Sequence, residues 1–457
     1  MFHVKHKTIL LVNPWIYDFA AYDLWAKPLG LLIIGGKLRK MGYDVELIDC
    51  LFSQENNSHV KKRKSYGDGK FIRQIIDKPN VLSFIKRHYC RYGITEEVFK
   101  ERLSKSSPLI ILVTSGMTYW YPGLFRTIGI IKEIHPKVPI ILGGIYATLL
   151  PNHAKRYSGV DKVFIGHDLT LLFHYIKNIV GLPKERDNCS YPCFDLYPSL
   201  SYLCIITSRG CPFRCSYCAS FKLYPNFKQK EIMEVVDEIS YWHHKYNVID
   251  FAFYDDALLI NPNSHFIPMM KEILKRGLKL RFHTPNGMHA REISYEVASI
   301  MYEGGFKTVR LGLETIGKKE KRFDSKVSKD EFSRAINLLH KAGYTPKDIG
   351  VYLLAGLPYQ DFREVKEAIN FVFDRGGYPK IAEYSPIPGT PLWQKAVKSS
   401  KFDLVSEPLF HNNTILPCQW KGFSLQDLAD LKRYINEKAK EIFRDKNKKD
   451  TIISKIS

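Results

Sequence analysis

The sequence predicts an α/β protein with three parts: an N-terminal doubly wound domain, a partial (β/α)6 barrel, and a mainly helical C-terminal extension. Two series of short apolar runs, each alternating with amphipathic stretches of helical length, predict two parallel sheets. A segment rich in Pro, Cys, Asn and Asp, residues 183–198, separates the two series. The length of 457 residues suits such a division, because single cores stop growing at roughly 250–300 residues.

The first series opens with an apolar run at residues 8–13 that ends in Asn13-Pro14. An amphipathic stretch at 30–41 follows as a helix, and Gly42 leads into a strand at 45–49. Further strands are expected at 109–114, at 138–142 before Gly143-Gly144, and at 162–165. Residues 52–107 interrupt this order with polar and basic sequence, including Asn56-Asn57-Ser58, and read as a solvated excursion carrying a helix or two.

The second series has strand candidates at 202–207, 248–254, 279–283, 308–313, 348–354 and 380–384. Helical stretches such as 231–246 and 329–342 lie between them. Six βα units of this spacing suit a barrel-like parallel sheet, whose active-site groups gather at the C-terminal ends of the strands. A helix at 425–443 and a charged end complete the chain.

Hydrophobic residues make up 45% of the chain and charged residues 25%, the balance of a globular protein rather than a disordered one. Residues 1–8 carry His and Lys and lack a signal-peptide pattern, and the longest apolar runs, 28–34 and 109–113, are too short to cross a bilayer. The expected location is the cytoplasm. There, nine cysteines point to metal ligation rather than to a disulfide scaffold. The formal net charge of +21 fits an acidic protein partner, nucleic acid, or a lysine-rich proteome; the lysines are scattered, with the densest runs at 61–64 and 446–449.

Three of the cysteines form the tight group Cys211-Pro212-Phe213-Arg214-Cys215-Ser216-Tyr217-Cys218, directly after the first strand of the second series. Thiolates spaced C-x3-C-x2-C can hold three irons of a cubane and leave the fourth iron open. Structural zinc normally takes four protein ligands, and no fourth Cys or His has convincing spacing, since Cys204 lies within a strand and Cys189 and Cys193 lie in the linker.

This motif, with Tyr217 before the third cysteine, resembles the signature of the radical S-adenosylmethionine (SAM) superfamily. The resemblance implies a [4Fe–4S] cluster on Cys211, Cys215 and Cys218, with SAM chelated to the open iron and cleaved reductively to a 5′-deoxyadenosyl radical. Such a cluster works near the low end of the iron–sulfur range, about −700 to +450 mV, so a flavodoxin or ferredoxin reductant is implied. Further SAM-binding positions follow from the same resemblance: Tyr217, Asp255 and Asp256 after the second strand, Glu314 and Thr315 in Gly-Leu-Glu-Thr after the fourth, Gly356 after the fifth, and Pro388 after the sixth. The usual Gly-Gly-Glu form is absent at Asp255-Asp256. Pro285-Asn286-Gly287-Met288-His289 matches the family pattern loosely.

The first domain resembles the Rossmann-like cobalamin-binding domain of cobalamin-dependent radical SAM enzymes, which implies corrin contacts at Asn13, Thr114, Ser115, Gly116, Gly143 and Gly144. The Asp-x-His-x-x-Gly motif that supplies a histidine to cobalt elsewhere is absent. Tyr119-Trp120-Tyr121 can pack on a corrin or fill a domain interface. The expected layout is residues 1–182 (insertion at about 52–107), linker 183–199, barrel 200–395 and extension 396–457. The expected activity is methyl transfer or carbon-skeleton modification of an unidentified substrate. Two other readings stand beside it: a radical SAM enzyme without cobalamin acting on RNA or a metabolite, and a non-catalytic iron–sulfur or redox-sensing protein.

Overall fold

In a computed structural model, residues 7–52, 63–183, 191–317 and 326–453 are described, with side chains to 442. Asn56-Asn57-Ser58, Lys61, Cys189 and the side chains of 446–449 lie outside the described residues. Contacts divide the chain into two compact units, Met1–Pro212 with Ala219–Asp255, and Phe213–Cys218 with Asp256–Ser457.

The first unit contains a five-stranded parallel sheet. Its strands are β1 (Thr8–Asn13), β2 (Asp44–Asp49), β3 (Ile110–Val113), β4 (Ile140–Leu142) and β5 (Lys162–Val163), in the order β5-β4-β3-β1-β2. Helices α1 (Leu29–Lys40), α2 (Glu96–Ser104), α3 (Tyr121–Ile134) and α4 (Leu169–Val180) lie between or after them. Both faces of the sheet are covered, so its strands are apolar nearly throughout. Leu10, Val12, Ile111 and Val113 pack on one face with Phe99 and Leu103 of α2 and Leu124 and Ile128 of α3. The strand order reverses between β1 and β3, the switch point where ligands bind at the C-terminal ends of strands.

The excursion after β2 departs from the sequence expectation. Rather than a solvated segment with a helix or two, it contributes Arg73–Ile76 and Tyr89–Tyr92 to an antiparallel three-stranded sheet with Ile16–Asp18, and α2 serves as a crossover of the main sheet. Tyr89, Cys90, Arg91 and Tyr92 are all buried. Arg91 is tolerated there because Gln74 accepts from one of its terminal nitrogens and Glu96 balances its charge, although its Nε has no partner among the described residues.

The linker and the start of the second series pack on the first sheet within the same unit. Cys193 donates its thiol to the Leu32 carbonyl, Tyr197 its hydroxyl to Asp49, and Tyr202 its hydroxyl to Asp23. Strands β6 (Leu203–Ile205) and β7 (Asp250–Phe253) pair in parallel, with helix α5 (Ile232–Tyr246) between them in sequence.

The second unit holds β8 (Arg281–His283), β9 (Phe306–Glu314), β10 (Ile349–Ala355) and β11 (Tyr378–Glu383), parallel and neighbours in that order. Helices α6 (Phe266–Lys275), α7 (Tyr295–Glu303), α8 (Lys329–Lys341) and α9 (Phe362–Asp374) alternate with the strands. Capping boxes at Ser328/Glu331 and Asp361/Glu364 fix where α8 and α9 begin. The final helix, α10 (Leu425–Ile453), lies on α9 and β11, tied by Lys432 to Glu383 and by Tyr434 and Lys438 to Asn370. Among the described residues no helix is long and apolar enough to cross a membrane.

Candidate active site

Two sets of groups stand at strand ends. In the first unit, an apolar cavity of about 130 Å³ is lined by Thr114, Gly143 and Gly144, with Gly30, Leu31, Ile34, Leu172 and, at the polar side, His167, Arg209 and Tyr224. Beside it, a smaller cavity of about 60 Å³ is lined by Asn13, Ser115 and Gly116 with Met117, Trp120 and Tyr121. All six positions expected to meet a corrin therefore line one cavity or the other.

Their roles differ. Asn13 gives its amide to Asp49, and the Ser115 hydroxyl donates to the Gly143 carbonyl, so both side chains are committed to the fold. Gly144 has φ +94°, and a Cβ there would lie 2.5 Å from the Ser115 carbonyl oxygen, a position only glycine can occupy. A Cβ at Gly143 or Gly30 would meet nothing within 4 Å. Exposed Met117 and Ile145 add apolar surface at the same strand ends. The glycines leave the backbone at these strand ends open to approach by a ligand. Trp120 is anchored to Asp18, and Tyr121 packs among Phe125, Tyr146 and His153, so the aromatic run belongs to the core of the first domain.

Gly210, at φ +75°, makes the turn into Cys211, where a Cβ would strike the Asn226 carbonyl at 2.8 Å. Cys211 is buried, whereas Cys215 and Cys218 are partly accessible, and all three thiols are free of disulfides. Within the second unit the Cys218 N–H donates to the Cys215 carbonyl at 3.1 Å. Among the described residues no set of three His, Cys, Asp or Glu side chains is gathered as a ready-made metal site. The donor chemistry itself fits an iron–sulfur cluster, since the three thiols sit on one short loop and two are open to solvent. The other described cysteines have a different character. Burial pushes the thiols of Cys193 and Cys204 up to about 12 and that of Cys418 up to about 11, which keeps them protonated.

Asp255 corrects an expectation. Its carboxylate is fully buried and accepts hydrogen bonds from the N–H and hydroxyl of Thr207 and of Ser208, at 2.6–3.1 Å. It pins the chain just ahead of the cysteine loop instead of facing a ligand, while Asp256 is exposed. Burial raises its pKa and the four donors oppose that rise. Asp255→Ala would strand these donors, and we expect a loss of about 3 kcal/mol in stability, read as a lower urea midpoint.

On the other strand ends, Glu314 closes β9 at φ +63°, and its carboxylate lies 3.9 Å from the ammonium of half-hidden Lys326. A non-glycine residue held at positive φ marks a site the surroundings over-determine. Thr315 follows in a tight turn, its N–H donating to the Leu313 carbonyl. Tyr217 packs with Leu354, Leu357 and Tyr384 at the ends of β10 and β11. Pro388 is partly exposed in the loop after β11. Gly356 is buried at φ +87°, where a Cβ would strike Leu416 at 2.3 Å, and Gln360 receives its N–H. What distinguishes it is close packing within the turn, not an exposed wall, which corrects its expected place against a ligand.

Sequence reasoning missed Lys326, Gln360, Gly30, His167, Arg209 and Tyr224. Gln360, four residues after Gly356, carried a turn signal; the others are brought in by tertiary packing.

His289 is buried in a strand, Met288–His289, that pairs with β9 opposite Gly312. Burial, with Lys326 and Arg291 nearby, pushes its pKa down to about 2. A histidine whose folded pKa is depressed stabilises the fold above its unfolded value of 6.5, and this contribution is lost as pH falls below that value. The expected result is a fall of about 2 kcal/mol between pH 6.5 and 5 attributable to this ring, absent from His289→Phe, in urea titrations at the two pH values.

With this geometry in view, residues 205–372 match the radical SAM superfamily, so the chain carries a radical SAM domain, whose cofactors are a [4Fe–4S] cluster and SAM. Relatives extend beyond that domain. An uncharacterized methyltransferase of Pyrococcus horikoshii is 24% identical over 379 residues, covering 75% of this chain and 78% of its own. Cytidylyl-2-hydroxyethylphosphonate methyltransferase of Streptomyces wedmorensis is 19% identical over 505 residues, covering 93% and 89%. Among solved structures, the radical SAM methyltransferase TsrM of Kitasatospora setae, with cobalamin and a [4Fe–4S] cluster bound, shares the fold at 15% identity and TM-score 0.64, over 90% of this chain and 85% of its own. The architecture is thus a doubly wound domain, a radical SAM partial barrel and a helical extension.

Proposed function

We propose that this chain is a cobalamin-dependent radical SAM methyltransferase, with Cys211, Cys215 and Cys218 as the cluster ligands. The observation that carries this reading is the joint presence of a C-x3-C-x2-C thiol set outside any disulfide and a glycine-floored apolar cavity at the switch point of a doubly wound sheet. The names of the relatives support it, two of which are methyltransferases matched along most of their length.

When bound, the cluster and SAM supply one-electron cleavage of a sulfonium C–S bond, and cobalamin supplies a transferable methyl group. The chain's residues hold and shield these groups. Gly30, Gly143, Gly144 and Thr114 give a flat ligand access to the backbone, with Met117 and Ile145 excluding water beside it. Asn13, Ser115 and Gly116 shape the neighbouring floor. Glu314, Thr315, Tyr217, Pro388 and Asp256 are the groups assigned to SAM; Glu314 offers a carboxylate to ribose hydroxyls or the amino group.

The reductant is a flavodoxin or ferredoxin, whose acidic surface complements a chain of net charge +21, and the enzyme works in the cytoplasm. The domains run 1–182, 200–395 and 396–457, joined by the linker 183–199.

Anaerobic purification with cobalamin supplied, followed by absorption spectroscopy and iron analysis, tests the reading. Stoichiometric corrin with about four irons per chain is expected, the content of one cubane. Iron without corrin would leave a radical enzyme acting on RNA or a metabolite. Iron with no SAM cleavage after reduction would point to a redox sensor.

A further inference from the structure

We propose that Phe213, packed against His289 and near Arg291, is the anchor that sets the segment bearing Cys215 and Cys218, so that His289 is a positioning residue for the iron–sulfur cluster. The inference rests on the assignment of those cysteines as cluster ligands made above.

The segment Phe213–Cys218 belongs to the second unit and is fixed at both ends. Downstream, the Ser216 carbonyl accepts the Leu392 N–H at 2.9 Å, and Tyr217 is packed among Leu354, Leu357 and Tyr384. Upstream, the Phe213 ring lies 4.7 Å from the His289 imidazole, centroid to centroid, with the planes at 31°. The Arg291 guanidinium carbon lies 5.3 Å from the same ring centroid. Only Arg214 and Cys215 stand between the two anchors. Cys215 is therefore placed by a span too short to wander while both anchors hold.

The burial of His289 supports this role. The side chain is 1% exposed, and its Nδ1 has no hydrogen-bond partner among the described residues. A buried polar atom left unsatisfied costs stability, so a histidine here is a poor core residue on hydrogen bonding alone. What the ring does provide is a flat surface against Phe213. A ring-to-ring contact and a nearby guanidinium are each favourable interactions for an aromatic side chain. His289 is itself set by its strand pairing with β9 opposite Gly312, two residues before Glu314, so the anchor connects the cysteine segment to the same strand that ends in Glu314.

The closing experiment compares wild type, His289→Ala, His289→Phe and Phe213→Ala, each reconstituted anaerobically. Iron content, the rate of iron loss to a chelator, and the EPR spectrum of the reduced cluster with and without SAM are measured. We expect His289→Ala and Phe213→Ala to lose iron about tenfold faster and to give a broadened spectrum, and His289→Phe to match wild type. Circular dichroism checks folding, and if His289→Ala does not fold, Arg291→Met removes the guanidinium contact of the anchor and carries the same expectation. The proposal fails if the alanine variants behave as wild type, or if His289→Phe is as impaired as His289→Ala. Wild type with about four irons and unaffected variants would overturn the anchor alone. Wild type without iron would overturn the cluster assignment, and the anchor with it.

Discussion

Cys215→Ala will lower the iron content of the reconstituted protein from about four atoms per chain to less than about one, and will abolish reductive cleavage of SAM. The expectation follows from ligand number. Three thiolates are the whole protein contribution available on this loop, and two cannot hold a cubane against solvent when one of them, Cys218, is itself partly exposed. The matched controls are Cys204→Ala and Cys418→Ala. Those thiols are buried and pushed up to about 12 and about 11, so they stay protonated and take no part in metal binding. Both controls should keep full iron and SAM cleavage if they fold. Iron retained by Cys215→Ala, or iron lost on replacing Cys418, would move the cluster elsewhere.

This contrast also shows what a sequence makes legible. The cysteine motif is local: its meaning is carried by spacing within eight residues, so no tertiary information is needed to find it. The strands were legible for a related reason. β1, with Thr-Ile-Leu-Leu-Val-Asn, is buried on both faces, so nearly every residue is apolar and Asn13-Pro14 stops it. The six strands of the second series fall close to their expected positions because the same burial rule applies to each.

Non-local satisfaction hid the rest. Residues 52–107 read as a solvated excursion, yet within them Tyr89-Cys90-Arg91-Tyr92 is a buried strand where Gln74 accepts a hydrogen bond from Arg91 and Glu96 pairs with its charge. Asp255 reads as a ligand-facing acid at a strand end, but its donors, Thr207 and Ser208, lie nearly fifty residues upstream. Gly356 reads as an exposed turn until Leu416 covers it from sixty residues downstream. In each case the residue type was noticed and its partner was not, because the partner is supplied only by the fold.

The two adjacent glycines at the end of β4 should separate ligand binding from folding. Gly143→Leu places its side chain into open space in the larger cavity, since a Cβ there meets nothing within 4 Å and its backbone needs no special conformation. The fold should tolerate it. A corrin seated on this floor would not, because the new side chain occupies volume the ligand requires. We expect cobalamin affinity to fall by on the order of a hundredfold, equivalent to about 3 kcal/mol, with iron content and the urea midpoint close to wild type. Gly144→Ala should do the opposite. Its φ of +94° and the 2.5 Å approach to the Ser115 oxygen mean that a methyl group strains the backbone and displaces the loop after β3. A stability loss of about 1–3 kcal/mol is expected there before any ligand is added. Equilibrium binding of cobalamin alongside urea denaturation reads both effects. Undiminished corrin binding by a folded Gly143→Leu protein would remove this cavity from the cobalamin site and leave the cysteine loop as the chain's remaining catalytic assignment.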